Sequence, residues 1–153
     1  MAEHSVEQLE QWRAQFIEEK IRPLLLPAAT DLVDKHRQQG DTLIVITATN
    51  RFVTEPIVKL YDIPHMLATE PELINGQYTG NYLAEPCYQH GKVIRLERWL
   101  ADNNCDLEGS YFYSDSHNDI PLLEQVSKPF AVDPDDKLRR YAEKHGWSII
   151  SLR

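Results

Sequence analysis

The sequence is short of several things, and each shortage excludes a class of protein. Only two cysteines occur in 153 residues, Cys87 and Cys105, far apart and in no CxxC pattern. A disulfide framework or a zinc site is therefore not expected, and a reducing cytoplasm is the expected compartment. No apolar run approaches the roughly 20 residues that a membrane helix needs, so no membrane association is expected. The opening MAEHSVEQLEQW has no basic region followed by an apolar core, so it does not read as a signal peptide. Positive charge is not in excess: 16 Lys and Arg face 24 Asp and Glu, a net charge of -8, with both signs scattered. A nucleic-acid binder would need a basic face, so nucleic acid is not an expected partner. A small anionic substrate is still compatible, because a bound cation reverses the local sign. Repeats, linkers and low-complexity segments are absent, and no motif specifies an oligomeric state.

What is present fits one ordinary domain over residues 1–153, with 42% hydrophobic and 26% charged residues. Residues 5–22 read as a helix, since Val6, Leu9, Phe16, Ile17 and Ile21 recur at spacings near three and four. Ser5 is its expected N-cap, with Gln8 three residues on, and Pro23 ends it. Pro27 opens a second helix over about 28–39, closed by Gly40. LIVITA (43–48) is a continuous apolar run, β-branched in its middle, which suits a strand covered on both faces. A loop and helix follow in TNRFVTEPIVKLY. The Asn75-Gly76 pair inside ELINGQYTG signals a hairpin. GKVIRLERWLADN (91–103) is an amphipathic helix with Val93, Leu96, Trp99 and Leu100 inward. SYFYS (110–114) reads as a strand, DIPLLEQV as a short helix, PFAV (129–132) as a strand, DDKLRRYAEKHG as a helix ended by Gly146, and WSIISL as a last strand. Strands alternating with helices predict an α/β parallel sheet. Such sheets bind ligands at the carboxyl ends of their strands, which directs attention to the residues after Ala48, Ser114 and Val132.

Four features there bear chemistry, and each has a plainer explanation. Thr47 and Thr49, in TATN, offer hydroxyls next to backbone N–H groups that suit phosphate, or they cap the helix that follows. Asp115 and Asp119 stand four apart where a strand gives way to a helix. Together they form a hard-oxygen site suited to Mg²⁺, or Asp119 is a cap and Asp115 a turn residue. Between them, Asn118 either donates to a phosphate or holds the loop, and His117 is expected to be exposed rather than catalytic. Lys92 lies in the first turn of its helix, where the dipole disfavours a cation, so it either serves an anion or is a surface lysine. In AVDPDD, Asp133, Asp135 and Asp136 have the shape of a nucleophile-and-acid pair, but N-capping by Asp133 or Asp135 accounts for them.

The order of these features resembles the haloacid dehalogenase (HAD) phosphatase superfamily. VITATN is similar to its second motif, GKVIRLERWL to the third and YSDSHNDIPLL to the fourth. The hairpin LINGQYTG resembles its phosphoserine-phosphatase-like branch, and TATNRFVTEPI resembles a bacterial subgroup described as histidinol-phosphatase-like. The resemblance runs from about residue 20 to the end. It implies a Rossmann-like core with a parallel sheet and a Mg²⁺-dependent phosphomonoesterase acting on a small phosphorylated metabolite, such as phosphoserine or histidinol phosphate. Thr47 would hydrogen-bond the transferring phosphoryl group. Lys92 would neutralise its oxygens, and Asn118 would lie beside it. Asp115 would bind Mg²⁺ directly, and Asp119 would support the metal directly or through water.

The family's first motif, a strand ending in D-x-D-x-T that supplies the nucleophile and the general acid, does not occur before Thr47. Only Asp31, Asp34 and Asp41 stand there, and none follows a strand-like run. Most of the helical cap is missing too, with residues 1–22 as a possible remnant of the cap or of its link to the core. The resemblance therefore implies a truncated or mis-started, impaired form that lacks the first, central strand, or a non-catalytic remnant that still binds Mg²⁺ or phosphate. Loss of that strand is expected to expose strand edges.

Overall fold

Ser5 opens the first helix in the way its side chain suggests: its Oγ accepts the Gln8 N–H at 3.2 Å. Our computed structural model describes residues 1–84 and 86–153. Helix α1 (Val6–Phe16) runs on through a π turn (Ile17–Ile21) and a 3₁₀ turn (Arg22–Leu24), so the stretch read as one helix first loosens and then tightens around Pro23, ending at Leu24. Helix α2 (Pro27–Gln38) begins on its proline, and Gly40 takes up φ +80° just past its end. The chain divides into two compact units, Met1–Cys87 and Tyr88–Arg153.

The first unit holds α1, α2 and a three-stranded sheet of order β1-β2-β3. Strand β1 (Ile44–Asn50) passes through helix α3 (Arg51–Leu60) to a parallel neighbour β2 (His65–Ile74), a βαβ unit. Strand β2 turns back into the antiparallel β3 (Gln77–Leu83). The turn residues Asn75 and Gly76 have φ of +51° and +76°, the left-handed pair that a two-residue hairpin needs. Sequence periodicity caught only the end of β2. Its first half, HMLATEP, does not alternate, and Pro71 argues against a central strand. Pro71 is tolerated because the β1 pairing ends at Thr69, so the missing N–H is not required on that side. Strand β1 is half-buried rather than covered on both faces, and Ala48 and Thr49 near its end are exposed.

Helix α3 carries Pro56 inside it, and a proline there cannot donate to the carbonyl four residues earlier. That carbonyl, Phe52 O, is taken instead by Arg13 of α1 at 2.9 Å, and the same guanidinium sits 4.2 Å from the Phe52 ring centroid. A defect that the sequence builds into α3 thus becomes an attachment point for α1.

The second unit is a run of βαβ crossovers. Helix α4 (His90–Asp102) precedes strand β4 (Tyr111–Ser114), a 3₁₀ turn (His117–Asp119), helix α5 (Ile120–Leu123), strand β5 (Lys128–Val132), helix α6 (Asp136–His145) and strand β6 (Ser148–Ile150). The three strands are parallel in the order β4-β5-β6. Two-residue alternation sorts β4 into faces. Tyr111 and Tyr113 stack with Phe130 on one face, at 6.2 and 4.8 Å. Phe112 turns to the other and packs on the core of Leu123, Ala131, Leu138 and Ala142. Gly146 ends α6 in the left-handed region, at φ +69°. Strands β1 and β4 each stand at the edge of their own sheet. Among the described residues no helix is long and apolar enough to cross a membrane.

Candidate active site

Alternation along β4 places Ser114 on the face that Phe112 shares, and Ser114 is buried. Its Oγ donates to Asp119 Oδ2 at 2.7 Å and accepts the Ser116 N–H at 3.2 Å, folding the loop after β4 back onto the strand end. Lys92 approaches Asp119 from α4. It falls in the inward stripe of Lys92, Val93 and Leu96, so its ammonium is drawn into the protein and requires a partner there. Nζ lies 2.6 Å from Asp119 Oδ1, with side-chain exposures of 10% and 8%. The contact is ionic without hydrogen-bond alignment, and Asp119 Oδ1 is left with no hydrogen-bond donor among the described residues. A cation in the first turn of α4 is thereby matched by a buried acid rather than by solvent.

Asp115 is different. It is exposed at the carboxyl end of β4, and no partner for its carboxylate occurs among the described residues. Its backbone is fixed: the carbonyl accepts the Asp135 N–H at 2.8 Å. Asn118 Oδ1 accepts from Tyr88 Oη at 3.2 Å and from Gln89 Nε2 at 3.1 Å, while its Nδ2 donates to Ser116 Oγ at 3.2 Å. The capping explanation for Asp119 fails, since its side chain caps nothing; Ser116 Oγ caps the 3₁₀ turn through Asn118 N. Lys92, Asp115, Asn118 and Asp119 are thus gathered around the end of β4 and the start of α4. No group of three or more His, Cys, Asp or Glu side chains suited to a metal occurs among the described residues. The oxygen donors at hand are the open Asp115 carboxylate and the Lys92-paired Asp119. That set fits a cation which keeps several waters, as Mg²⁺ does, and not one that needs a complete protein cage.

Thr47 belongs to the first unit. Between Ile46 and Asn50 four steps on β1 match two on β2, so Thr47 sits where the ladder bulges. Its Oγ1 accepts the Thr49 N–H at 3.1 Å. Neither threonine caps α3. Asn50 does, accepting the Val53 N–H at 3.0 Å, and the capping explanation for Thr47 and Thr49 is thereby removed.

The acids of AVDPDD are accounted for in the second unit. Asp135 caps α6 by accepting the Lys137 and Leu138 N–H groups at 3.0 and 2.8 Å. Its other oxygen accepts the His117 N–H at 2.9 Å and lies 2.9 Å from His117 Nδ1. Partial burial pushes this carboxyl up, but the hydrogen bonds from His117 and Leu138 outweigh it and hold the group well below the usual carboxylate range. Asp133 accepts from Ser151 Oγ at 2.6 Å and Leu152 N at 3.1 Å, and those bonds, Ser151 first, lower its pKa. Sequence reasoning overlooked Ser114, Tyr88 and Gln89. The signal for Ser114 was its parity with Phe112 on β4; nothing local marks Tyr88 or Gln89.

Residues 1–124 match the family model of the haloacid dehalogenase-like hydrolases. A histidinol-phosphatase of Neisseria meningitidis serogroup C is 39% identical over 157 residues, spanning 100% of this chain and 71% of that protein. A probable phosphatase of Mycobacterium tuberculosis is 34% identical over 132 residues, 86% of this chain and 46% of its own length. A crystal structure of a protein of unknown function from Bordetella pertussis Tohama I has a TM-score of 0.95 at 43% identity, covering 99% of this chain and 70% of that one. A probable phosphoserine phosphatase from Vibrio cholerae shares the fold alone, with a TM-score of 0.65 at 16% identity over 82% of this chain and 39% of that one. With more than half of its length inside the family model, the chain belongs to the haloacid dehalogenase-like hydrolases.

Proposed function

We propose that the chain carries the phosphate-handling half of a Mg²⁺-dependent phosphomonoesterase for a small phosphorylated metabolite of the phosphoserine or histidinol phosphate kind. The observation that carries this reading is the Lys92–Asp119 pair, buried against Ser114 beside an exposed Asp115 with no carboxylate partner among the described residues. Burying an ammonium against a carboxylate is costly, and the arrangement contributes little to stability that apolar residues would not. It suits a site that must present fixed positive charge to a phosphoryl group without reorganising.

In this reading Asp115 and Asp119 hold Mg²⁺, Asp115 directly and Asp119 directly or through water. When bound, the ion would offset charge on the phosphoryl oxygens. Lys92 supplies a second positive charge, oriented by Asp119. Asn118, braced by Tyr88 and Gln89, presents its amide beside the phosphoryl group. Thr47 is assigned as a phosphate-contacting hydroxyl on the family motif alone. The substrate class rests on the names of the relatives.

No D-x-D-x-T sequence occurs in the 153 residues, so we infer that the nucleophilic aspartate is not among them. That absence favours a second reading, a chain that binds Mg²⁺ and phosphate without turning substrate over. Residues 1–153 are expected to give negligible turnover of p-nitrophenyl phosphate with Mg²⁺. Appreciable turnover abolished by Asp115→Asn would reveal a nucleophile elsewhere in the chain. In a protein that joins this chain to a strand ending in D-x-D-x-T, Lys92→Ala and Asp115→Asn should each lower kcat by about 100-fold or more. Activity indifferent to both would remove the assigned roles.

A further inference from the structure

Asp135 uses its two carboxylate oxygens for two different purposes. Oδ1 accepts the Lys137 and Leu138 N–H groups and caps α6. Capping needs one acceptor, and a serine or threonine would supply it. Oδ2 is aimed away from the helix, at the loop after β4, where it takes the His117 N–H at 2.9 Å and contacts His117 Nδ1 at 2.9 Å. The Asp135 N–H donates to the Asp115 carbonyl at 2.8 Å. One residue on a separate element therefore grips the first and third positions of the loop that runs from Asp115 to Asp119. The Asp115 carboxylate has no side-chain partner among the described residues, so its aim is set by its backbone, and Asp135 holds that backbone from a separate element.

We propose that Asp135 is a positioning residue for Asp115, fixing the Asp115–His117 backbone so that the free carboxylate meets a divalent cation in a preorganised direction. The proposal rests on the reading of Asp115 as a Mg²⁺ ligand. Partners that orient a ligand without touching the metal typically change affinity by about 10- to 100-fold when lost.

The test separates the two oxygens. Asp135→Ser keeps an N-cap acceptor but is too short to reach His117. Asp135→Asn is the second variant, offering one acceptor to two sets of donors. In the chain itself, titration calorimetry should show Mg²⁺ binding weakened about 10-fold by Asp135→Ser. His117→Ala removes only the ring contact and leaves the backbone bond, so its affinity should stay within about twofold of the unaltered chain. Amide exchange by NMR should show the His117 N–H losing protection in Asp135→Ser while Leu138 keeps its own. Unchanged Mg²⁺ affinity, or unchanged protection at His117, in both Asp135 variants overturns the proposal. So does equal loss of protection at His117 and Leu138, which would make Asp135 a helix cap and no more. If the unaltered chain binds no Mg²⁺, or binds it regardless of Asp115→Asn, the metal reading fails instead, and the exchange experiment still decides whether Asp135 holds the loop.

Discussion

Lys92 Nζ lies 2.6 Å from Asp119 Oδ1, in a pair whose side chains are only 10% and 8% exposed. Removing one member leaves the other as an uncompensated buried charge. Lys92→Ala should destabilise the chain by about 3 kcal/mol. Replacing both at once, Lys92→Met with Asp119→Leu, should recover most of that loss, because a buried ion pair is seldom better than apolar packing. Urea unfolding midpoints would check this. A double variant as unstable as Lys92→Ala would indicate that the pair is needed for folding and not only for binding.

Arg13 and Phe52 offer a second test. The guanidinium takes the carbonyl that Pro56 leaves without a helical partner. Arg13→Ala should cost about 1–2 kcal/mol, from a charge-assisted hydrogen bond and the ring contact. In a Pro56→Ala background the helix can supply its own donor to Phe52 O, and the same change should cost less. A double-mutant cycle in chemical denaturation measures the difference, and additive effects would break the link between the proline and the arginine.

Acid stability follows from Asp133. Hydrogen bonds from Ser151 and then Leu152 lower its pKa in the folded chain relative to the unfolded one. A depressed carboxylate stabilises above its unfolded value, about 3.9, and that contribution is lost as pH falls through the lower, folded value. Thermal midpoints should therefore drop on acidification below about pH 4, and Asp133→Asn should flatten that limb while leaving the neutral-pH trend alone. An unaltered acid limb would mean that the Ser151 and Leu152 bonds do not persist in solution.

The parts of the fold that were legible in advance are those set by local chemistry. Ser5, Gly40 and Gly146 bound their helices as their side chains, or lack of them, dictate. Asn75-Gly76 makes the hairpin because few other pairs accept two left-handed residues in a row. The first half of β2 was not legible, since its pattern does not alternate and Pro71 is acceptable only because of where the β1 pairing stops. At the site, the residue types were readable and their partners were not. Asn50 took the capping role that Thr47 and Thr49 were offered, and the buried acid facing Lys92 lies 27 positions away from it in sequence.

Sequence alone determined the α/β class and the family, because periodicity, turn chemistry and motifs are written in the residues themselves. Tertiary structure alone decided that Lys92 is paired with Asp119 while Asp115 stays open, that Arg13 answers for Pro56, and that Asp135 divides its two oxygens between a helix and a loop. Each of these depends on which buried or half-buried polar group finds a partner across the fold. A chain can present the donors and acceptors in any order, but only packing brings a given pair within 3 Å.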